Sequence, residues 1–309
     1  EITDLRPMIR NGMGELFIPG SSIKGAIRTA IAYYLLKYPE RYQLPQEQRV
    51  SEIEKKLKAK LGELKRKAKS ADDGFMDSFF SDYTLTYQDR TFSGTKQNTD
   101  ILRALHVTDS KPLLEKSRTL KNGKKILLNL PVVPEVIISS RFADYRAKYR
   151  LPPVYVEMVR NVDTEFTLSL DTEMLSWFKH NQGMKLPFNN LDELLEICRE
   201  FAQEQWDYEH DYWNSIKNNP NAAGRNLNFS YIRDLYQPEE CPYQLRLGWG
   251  SGMTGTTVGL CFHDDVREQI RDTCGKEAPG FEAPKSRRTI VNPEGDIKYV
   301  PGWVKFKVL

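Results

Sequence analysis

Several features that would assign a chain to a class at once are absent from this sequence. No apolar run approaches the length of a membrane span, and no signal peptide is recognisable at the start. The cysteines form no CxxC pair, so we expect a reduced protein of the cytoplasm with no membrane partner. The formal net charge of +3 is mild. Composition alone therefore does not indicate a nucleic-acid-binding protein, and the positions of the cations must decide.

Catalytic and metal-binding motifs are scarce as well. The chain has four histidines, namely His106, His180, His210 and His263. They form no HExxH motif, and no nucleophile motif accompanies them. The segments "DYEHD" at residues 207–211 and "HDD" at 263–265 contain metal-ligand types, but a solvated acidic helix face and a helix cap explain them more economically. The sequence therefore predicts no enzyme, no metal site and no cofactor.

What the chain does have is a mixed order of helices and short strands. Residues 102–140 and 165–170 are rich in β-branched or alternating apolar residues and predict strands. Residues 51–70 predict a charged helix with a thin apolar stripe, and residues 191–217 predict a long helix. Strands resume in the C-terminal third with "YQLRLGW" at residues 243–249 and "TTVGLCF" at 256–262, and they end in "GWVKFKVL" at 302–309. The order indicates the α+β class.

The first candidate site is "LFIPGSSIKGAIRTAIAYYLL" at residues 16–36. It predicts a strand, a Pro-Gly break and a helix whose first amides lack helical partners and can bind an anion. Ser21 and Ser22 add hydroxyls, and Lys24 and Arg28 lie one turn apart beside the helix start. An ordinary capped helix with two solvated cations is the alternative. The GxxxxGK[ST] spacing of a nucleotide-binding loop is absent.

The second candidate site is the glycine-rich segment "RLGWGSGMTGTTVGL" at residues 246–260. We expect it to lie between two strands, which is the wrong context for dinucleotide binding and suits backbone contact to RNA phosphates. A loose hairpin turn is the alternative. The candidate RNA contacts are Gly248, Trp249, Gly250, Ser251 and Gly252.

The third candidate site is the cationic cluster "PKSRRT" at residues 284–289, a few residues ahead of the final strand. Lys285, Arg287 and Arg288 are the candidate phosphate contacts, with bidentate pairing expected from the two arginines. A charge run of this kind is otherwise a solvated loop.

Five segments together carry a resemblance to a known family. They are "FIPGSSIKGAIRTA" at residues 17–30, "LHVTDS" at 105–110, "LRLGWGSG" at 245–252, "PKSRR" at 284–288 and "PGWVKF" at 301–306. On these segments the chain resembles the RAMP superfamily of CRISPR proteins. Within it, the sequence is similar to the type III-A (Csm) effector subunit that caps the guide-RNA 3′ end of the backbone filament. The glycine-rich turn followed by "PKSRR" and "GWVKF" is the distinctive part.

The resemblance implies a fold and a domain organisation. It implies a ferredoxin-like (RRM-like) RAMP core in a single domain over residues 1–309, with helical insertions at about residues 40–100 and 190–235. The family has a strand and a glycine-containing turn well before the Pro-Gly-Ser-Ser helix. This chain starts at Glu1 only a short way upstream, so we expect that N-terminal strand to be missing from it.

The resemblance also implies a function. It implies a non-catalytic subunit that binds guide RNA (crRNA), docks on the neighbouring backbone RAMP subunit and aids maturation of the guide 3′ end in antiviral defence. Target RNA and host nucleases are further implied partners. Two alternatives stay open: a metal-independent RAMP endoribonuclease, for which His106 and His263 are the candidate acid–base groups, and a protein-only scaffold that never touches RNA.

Overall fold

The protein is described here by a computed structural model. It describes residues 5–63, 73–92, 94–113, 117–127, 135–141, 145–149, 153–160, 162–222, 224–274, 277–292 and 294–308. The α-helices within these residues are α1 (Gly20–Lys37), α2 (Val50–Ala59), α3 (Asp73–Phe80), α4 (Thr172–Ser176), α5 (Leu191–Ser215), α6 (Ser230–Tyr236), α7 (Gly252–Thr256) and α8 (Asp264–Cys274). None of these helices is long and apolar enough to cross a bilayer.

The strands are short, and most belong to small separate sheets. In chain order they are β1 (Leu5–Arg6), β2 (Tyr83–Tyr87), β3 (Arg90–Phe92), β4 (Leu105–Val107), β5 (Ser117–Thr119), β6 (Lys125–Leu127), β7 (Glu135–Arg141), β8 (Ala147–Tyr149), β9 (Val154–Val156), β10 (Leu168–Leu170), β11 (Phe178–His180), β12 (Asn219–Ala222), β13 (Arg225–Leu227), β14 (Leu245–Arg246), β15 (Ser286–Val291), β16 (Ile297–Tyr299) and β17 (Trp303–Val304).

The largest sheet has six strands in the order β1-β9-β7-β15-β16, with β8 paired to β7. Only β1 and β9 run parallel; the other pairs of this sheet are antiparallel. The remaining sheets pair β4 with β10, β2 with β3 and β11, β5 with β6, β12 with β13, and β14 with β17. With this mixture of helices and mainly antiparallel strands, the predicted α+β class is confirmed.

Helix α5 joins two hydrophobic cores. Its first half contributes Ile197 and Phe201 to a core around α1, and its second half contributes Trp206 and Trp213 to a core around α6 and β13. Apolar residues therefore recur on one side of this helix through all of its turns, as the period of an α-helix requires. The predicted long helix at residues 191–217 is confirmed by α5.

Among the other elements predicted from the sequence, some are confirmed and some are wrong. Strands β4 and β10 confirm the strands predicted at "LHVTDS" and "EFTLSL", and they pair with each other. The predicted strand "TTVGLCF" is wrong, because α7 and a 3-10 turn at Gly259–Cys261 occupy this part of the chain. The cluster "PKSRRT" is not a loop, since it contributes most of β15, inside the largest sheet. The charged helix is present as α2, and the predicted residues 64–70 lie outside the described ones.

Candidate nucleic-acid interface

A cleft of about 1690 Å³ gathers segments from both ends of the chain. Its walls include residues 5–9, 156–160, 247–250 and 298–307. Pro19 and Ser22 at the start of α1 also line it, together with Phe17 and Ile18. Two of the three segments that the sequence singled out, the start of α1 and the glycine-rich loop, therefore open onto one space.

The start of α1 is closed by protein groups. The backbone N–H of Gly20 donates to a carboxylate oxygen of Asp109 at 2.8 Å. A Cβ on Gly20 would lie 2.5 Å from the carbonyl oxygen of Val107. The glycine of "PGSS" is therefore required for close contact with the strand backbone, and a carboxylate already occupies part of the helix N-terminus where an anion was expected. Ser21 and Ser22 are both exposed, and only Ser22 lines the cleft.

Lys24 and Arg28 make contacts inside the protein rather than at the cleft. Lys24 Nζ donates to the carbonyl oxygen of Leu105 at 2.8 Å, and burial lowers the pKa of this lysine. Arg28 Nη1 donates to the carboxylate of Asp100 at 2.6 Å, and the Arg28 guanidinium lies 3.9 Å from the ring centroid of Phe80. In this structure the two cations stabilise the packing of α1 against the loop before β4.

The glycine-rich loop after β14 is folded back on the chain's C-terminal segment. Gly248 and Gly252 have φ angles of +78° and +67°, which favour glycine. Gly250 has a different requirement, because a Cβ there would lie 2.3 Å from the side chain of Pro301. The side-chain hydroxyl of Ser251 is buried and donates to the carbonyl oxygen of Gly248 at 2.7 Å. The loop is thus held by close backbone approach and is not a loose hairpin.

Trp249 in this loop is in contact with two arginines. The guanidinium carbon of Arg288 lies 4.0 Å from the indole centroid and that of Arg6 lies 4.8 Å from it. Arg288 Nη1 also donates to the Trp249 carbonyl oxygen at 2.8 Å. Burial, with the nearby charges of Arg6 and Arg246, lowers the pKa of Arg288. Trp249 therefore does not offer a bare stacking plane; it anchors two cations beside the cleft.

The two arginines of the third candidate segment point in different directions, one into the core and one toward the glycine-rich loop. Arg287 is 5% exposed and its Nε donates to Glu209 at 2.8 Å. This corrects the expectation of Arg287 at the surface: side chains alternate along β15, so Arg287 faces the core while Arg288 reaches Trp249. Lys285 is half-buried, with its ammonium 4.6 Å from the Phe281 ring centroid. Neither Lys285 nor Arg287 lines the cleft.

None of the five cations that line the cleft is among the candidate RNA contacts named from the sequence. The five are Arg6, Arg160, Lys298, Lys305 and Lys307. Lys305 and Lys307 are exposed and alternate with Val304 and Phe306, a period-2 signal that was visible in the sequence. Three acidic residues line it too, namely Glu157, Asp163 and Glu165. Glu157 is bonded to Arg10 and Glu165 to Lys111. The hydrogen bonds from Arg10 and from the Met8 backbone N–H hold the pKa of Glu157 below its usual value.

The two histidines considered for catalysis are exposed outside the walls of this cleft. His106 is exposed on β4 opposite Ser169, and the side chain of His263 is 77% exposed next to Glu54 of α2. Neither histidine lines the cleft. Over the described part of the chain, no three His, Cys, Asp or Glu side chains are grouped as metal ligands would be.

With this geometry in hand, comparison with known proteins decides the family. A profile of the RAMP superfamily matches residues 1–233. The chain belongs to the RAMP superfamily. No curated protein sequence matches this RAMP protein.

Two solved structures share this fold, and the first is a complex of a type III-A CRISPR-Cas system. A chain of a Csm–crRNA–target RNA ternary complex, solved by cryo-electron microscopy, has a TM-score of 0.55 and 23% identity, covering 96% of this RAMP protein and 74% of that chain. The crystal structure of T. onnurineus Csm5 has a TM-score of 0.51 and 20% identity, covering 98% and 74% respectively. At these identities the likeness concerns the fold.

Proposed function

We propose that this RAMP protein is a guide-RNA-binding subunit of a type III-A CRISPR interference complex. In this proposal it caps the 3′ end of the backbone filament in the cytoplasm, docks on the neighbouring backbone RAMP subunit and aids maturation of the guide 3′ end. The similarity in fold to a chain of a Csm–crRNA–target RNA complex and to Csm5 supports this assignment. Target RNA and host nucleases are further proposed partners.

The observation that carries the proposal is the cationic cleft between the start of α1 and the glycine-rich loop. Its five lining cations are Arg6, Arg160, Lys298, Lys305 and Lys307. Arg288 supports its wall through Trp249. Exposed cations beside close-packed backbone suit a phosphate chain read by shape and charge rather than by base sequence.

We place the RNA backbone along Ser22, Gly248, Trp249 and Gly250 at this cleft. Lys305 and Lys307 would neutralise phosphates on the opposite side. RNA contacts by the other residues that the sequence singled out stay predictions, namely those by Ser21, Lys24, Arg28, Ser251, Gly252 and Lys285. A direct contact by Arg287 is not part of the proposal, since this residue is buried against Glu209.

A non-catalytic role fits the position of the candidate acid–base groups. A ribonuclease of the RAMP type needs a general acid or base within hydrogen-bond reach of the scissile phosphate. His106 and His263 do not line the cleft, so neither is part of the surface proposed to hold RNA. The protein-only scaffold remains the other alternative, and it predicts no RNA contact at all.

Site-specific cross-linking in the assembled complex tests the proposal. A guide RNA carrying 4-thiouridine near its 3′ end should cross-link to this chain under ultraviolet light, through residues of the cleft. A matched guide with 4-thiouridine near its 5′ end should not. The RNA should stay intact during incubation with the purified chain, with or without EDTA. Cross-links from the 5′ probe alone would contradict 3′-end capping, and cleaved RNA would favour the endoribonuclease.

A further inference from the structure

A buried carboxylate lies behind the glycine-rich loop and is not accounted for by RNA contact. Glu209 of α5 is 1% exposed. One of its oxygens accepts from Arg287 Nε at 2.8 Å and lies 3.6 Å from Arg246 Nη1. The other accepts from the indole N–H of Trp213 at 3.1 Å. Glu209 thus faces two buried guanidinium groups from two different strands.

The two arginines lie on two strands that hold the glycine-rich loop. Strand β14 leads directly into it, and β15 contacts it through Arg288. Arg246 is the last residue of β14, directly before the loop, and its Nε donates to the Pro301 carbonyl oxygen at 3.2 Å. Pro301 is the residue against which Gly250 packs. Arg287 precedes Arg288, whose Nη1 donates to the carbonyl oxygen of Trp249 at 2.8 Å.

Glu209 is the negative charge that Arg246 and Arg287 share. The side chains of Arg246 and Arg287 are 4% and 5% exposed, so both charges are shielded from water. A buried charge is tolerated when an opposite charge compensates it. Glu282 also faces Arg287, at 3.6 Å from its Nη2, but the side chain of Glu282 is 22% exposed. Without the Glu209 carboxylate, the two guanidinium groups would have to move apart or toward water.

We propose that Glu209 is a positioning residue for the cleft. Glu209 holds Arg246 and Arg287 in place. Arg246 bonds to Pro301, against which Gly250 packs, and Arg287 fixes the strand from which Arg288 reaches Trp249. Together these contacts set the position of the Trp249 segment. Glu209 itself touches no RNA in this proposal. Its effect on RNA affinity rests on the proposed function, whereas its effect on the conformation of the loop does not.

Fluorine NMR of the chain labelled with 5-fluorotryptophan separates the two effects. The chain has five tryptophans, and loss of a signal in Trp249→Phe assigns the one in the loop. In Glu209→Gln we expect the Trp249 signal to shift and affinity for guide RNA to fall roughly tenfold. The Trp213 signal will move in any case, because its N–H bonds to Glu209 directly.

Glu54→Gln is the matched control. Glu54 is another buried carboxylate, 8% exposed, whose oxygen accepts from the backbone N–H of His263 at 2.7 Å on the side of α2. Its loss should lower the melting temperature while leaving the Trp249 signal and the RNA affinity unchanged. Equal effects of both variants on Trp249 and on affinity would overturn the positioning role, since general destabilisation would then explain them.

Glu209→Asp covers the case in which Glu209→Gln does not fold. Aspartate keeps the negative charge, but its carboxylate lies about one C–C bond further from Arg287. We expect the Trp249 signal to shift in this variant too, with RNA affinity lowered about threefold. An unchanged Trp249 signal would overturn the proposal. A shifted signal in a protein whose wild-type form binds no guide RNA would support the positioning role and refute the proposed function.

Discussion

At the scale of single residues, the glycines of the loop at residues 247–252 serve two different physical needs. Gly248 and Gly252 adopt positive φ angles, which a residue with a Cβ enters at a cost. Gly250 instead leaves room for the ring of Pro301. The glycine-rich pattern predicts the same conformational need at Gly250 and Gly252, but of these two only Gly252 has a positive φ angle. Only the packed structure separates a backbone requirement from a space requirement.

We predict that Gly250→Ala destabilises the protein. The added Cβ would lie 2.3 Å from two carbons of the Pro301 side chain, and overpacking of this kind costs about 1–3 kcal/mol. Gly25→Ala is the control, because Gly25 lies within α1 with nothing within 4 Å of its Cβ position. That change should raise stability by about 0.5–1 kcal/mol. Urea denaturation measures both, and equal effects would contradict the packing argument.

We also predict that the Arg10–Glu157 pair makes a pH-dependent contribution to stability. Its hydrogen bonds lower the pKa of Glu157 in the folded state, so the contribution is complete above the unfolded value of about 4.3 and is lost as pH falls through the lowered folded value. Wild type should therefore exceed Glu157→Gln in stability at pH 7, by under about 1 kcal/mol at this partly exposed site. The gap should narrow as the pH falls below about 4.3 and close once Glu157 is protonated in the folded protein as well. A gap independent of pH would refute the assignment.

At the scale of elements, α1 shows how a helix start can be built for packing. Its first residue, Gly20, lies against the backbone of residues 107–108, and Asp109 accepts the first helical N–H. The negative charge of Asp109 would also repel a bound anion at the start of α1. The sequence pattern "PGSSIKG" is compatible with an anion site, but the group that fills the site comes from a segment almost ninety residues away.

We predict that Asp109→Ala lowers the free energy of unfolding by about 1 kcal/mol, since a capping side chain contributes about that much. Asp211→Ala is the comparison, because the Asp211 side chain is 85% exposed on α5. It should change stability by less than about 0.5 kcal/mol. Thermal melts of the two variants give the answer, and a loss of the same size in both would argue against a specific cap.

The elements that the sequence predicted are those with a strong local signal. Helices α1 and α5 combine a clear apolar period with breakers such as Pro39 and the "NNP" at residues 218–220. The segment "TTVGLCF" at residues 256–262 predicts a strand because of its Thr and Val, yet it contains the end of α7 and a 3-10 turn, with Val258 buried in the core around α1. β-propensity is weak against tertiary packing. The charge run at residues 284–289 is compatible with a solvated loop, yet it forms most of β15, where Arg287 is buried.

The candidate site was predictable in part for the same reason. The glycine-rich loop and the start of α1 have distinctive sequences, and both line the cleft. Arg287 could not be placed, because whether a lone arginine faces solvent or a buried carboxylate depends on Glu209, which lies on a helix distant in sequence. Arg6 and Lys298 stand in no motif, and only the folded chain brings them to the same cleft.

At the scale of the whole molecule, the cleft exists only after the entire chain has folded. Its walls combine residues 5–9, the loop at residues 247–250 and residues 298–307, which are far apart in the sequence. Helix α5 connects the two hydrophobic cores and carries Glu209 behind the loop. RNA binding at such a cleft should therefore depend on the stability of the whole fold as well as on the cations that line the cleft.

The salt dependence of guide-RNA binding tests the central claim, that the cleft holds the RNA backbone. Lys305 and Lys307 are exposed and line the cleft. In Lys305→Ala/Lys307→Ala, the slope of log affinity against log salt should fall by about 1–2 in magnitude, as expected for two lost phosphate contacts.

The pair Lys55→Ala/Lys58→Ala provides the matched comparison for this measurement. These lysines lie on α2, outside the cleft, and they form ion pairs with Glu52 and Asp265. They carry the same charge, so the control variant has the same net charge as the test variant. We expect a slope unchanged from wild type in the control and reduced only in the Lys305/Lys307 variant. Equal slopes in all three proteins, or a reduction only in the α2 pair, would contradict the claim that the cleft holds the RNA backbone.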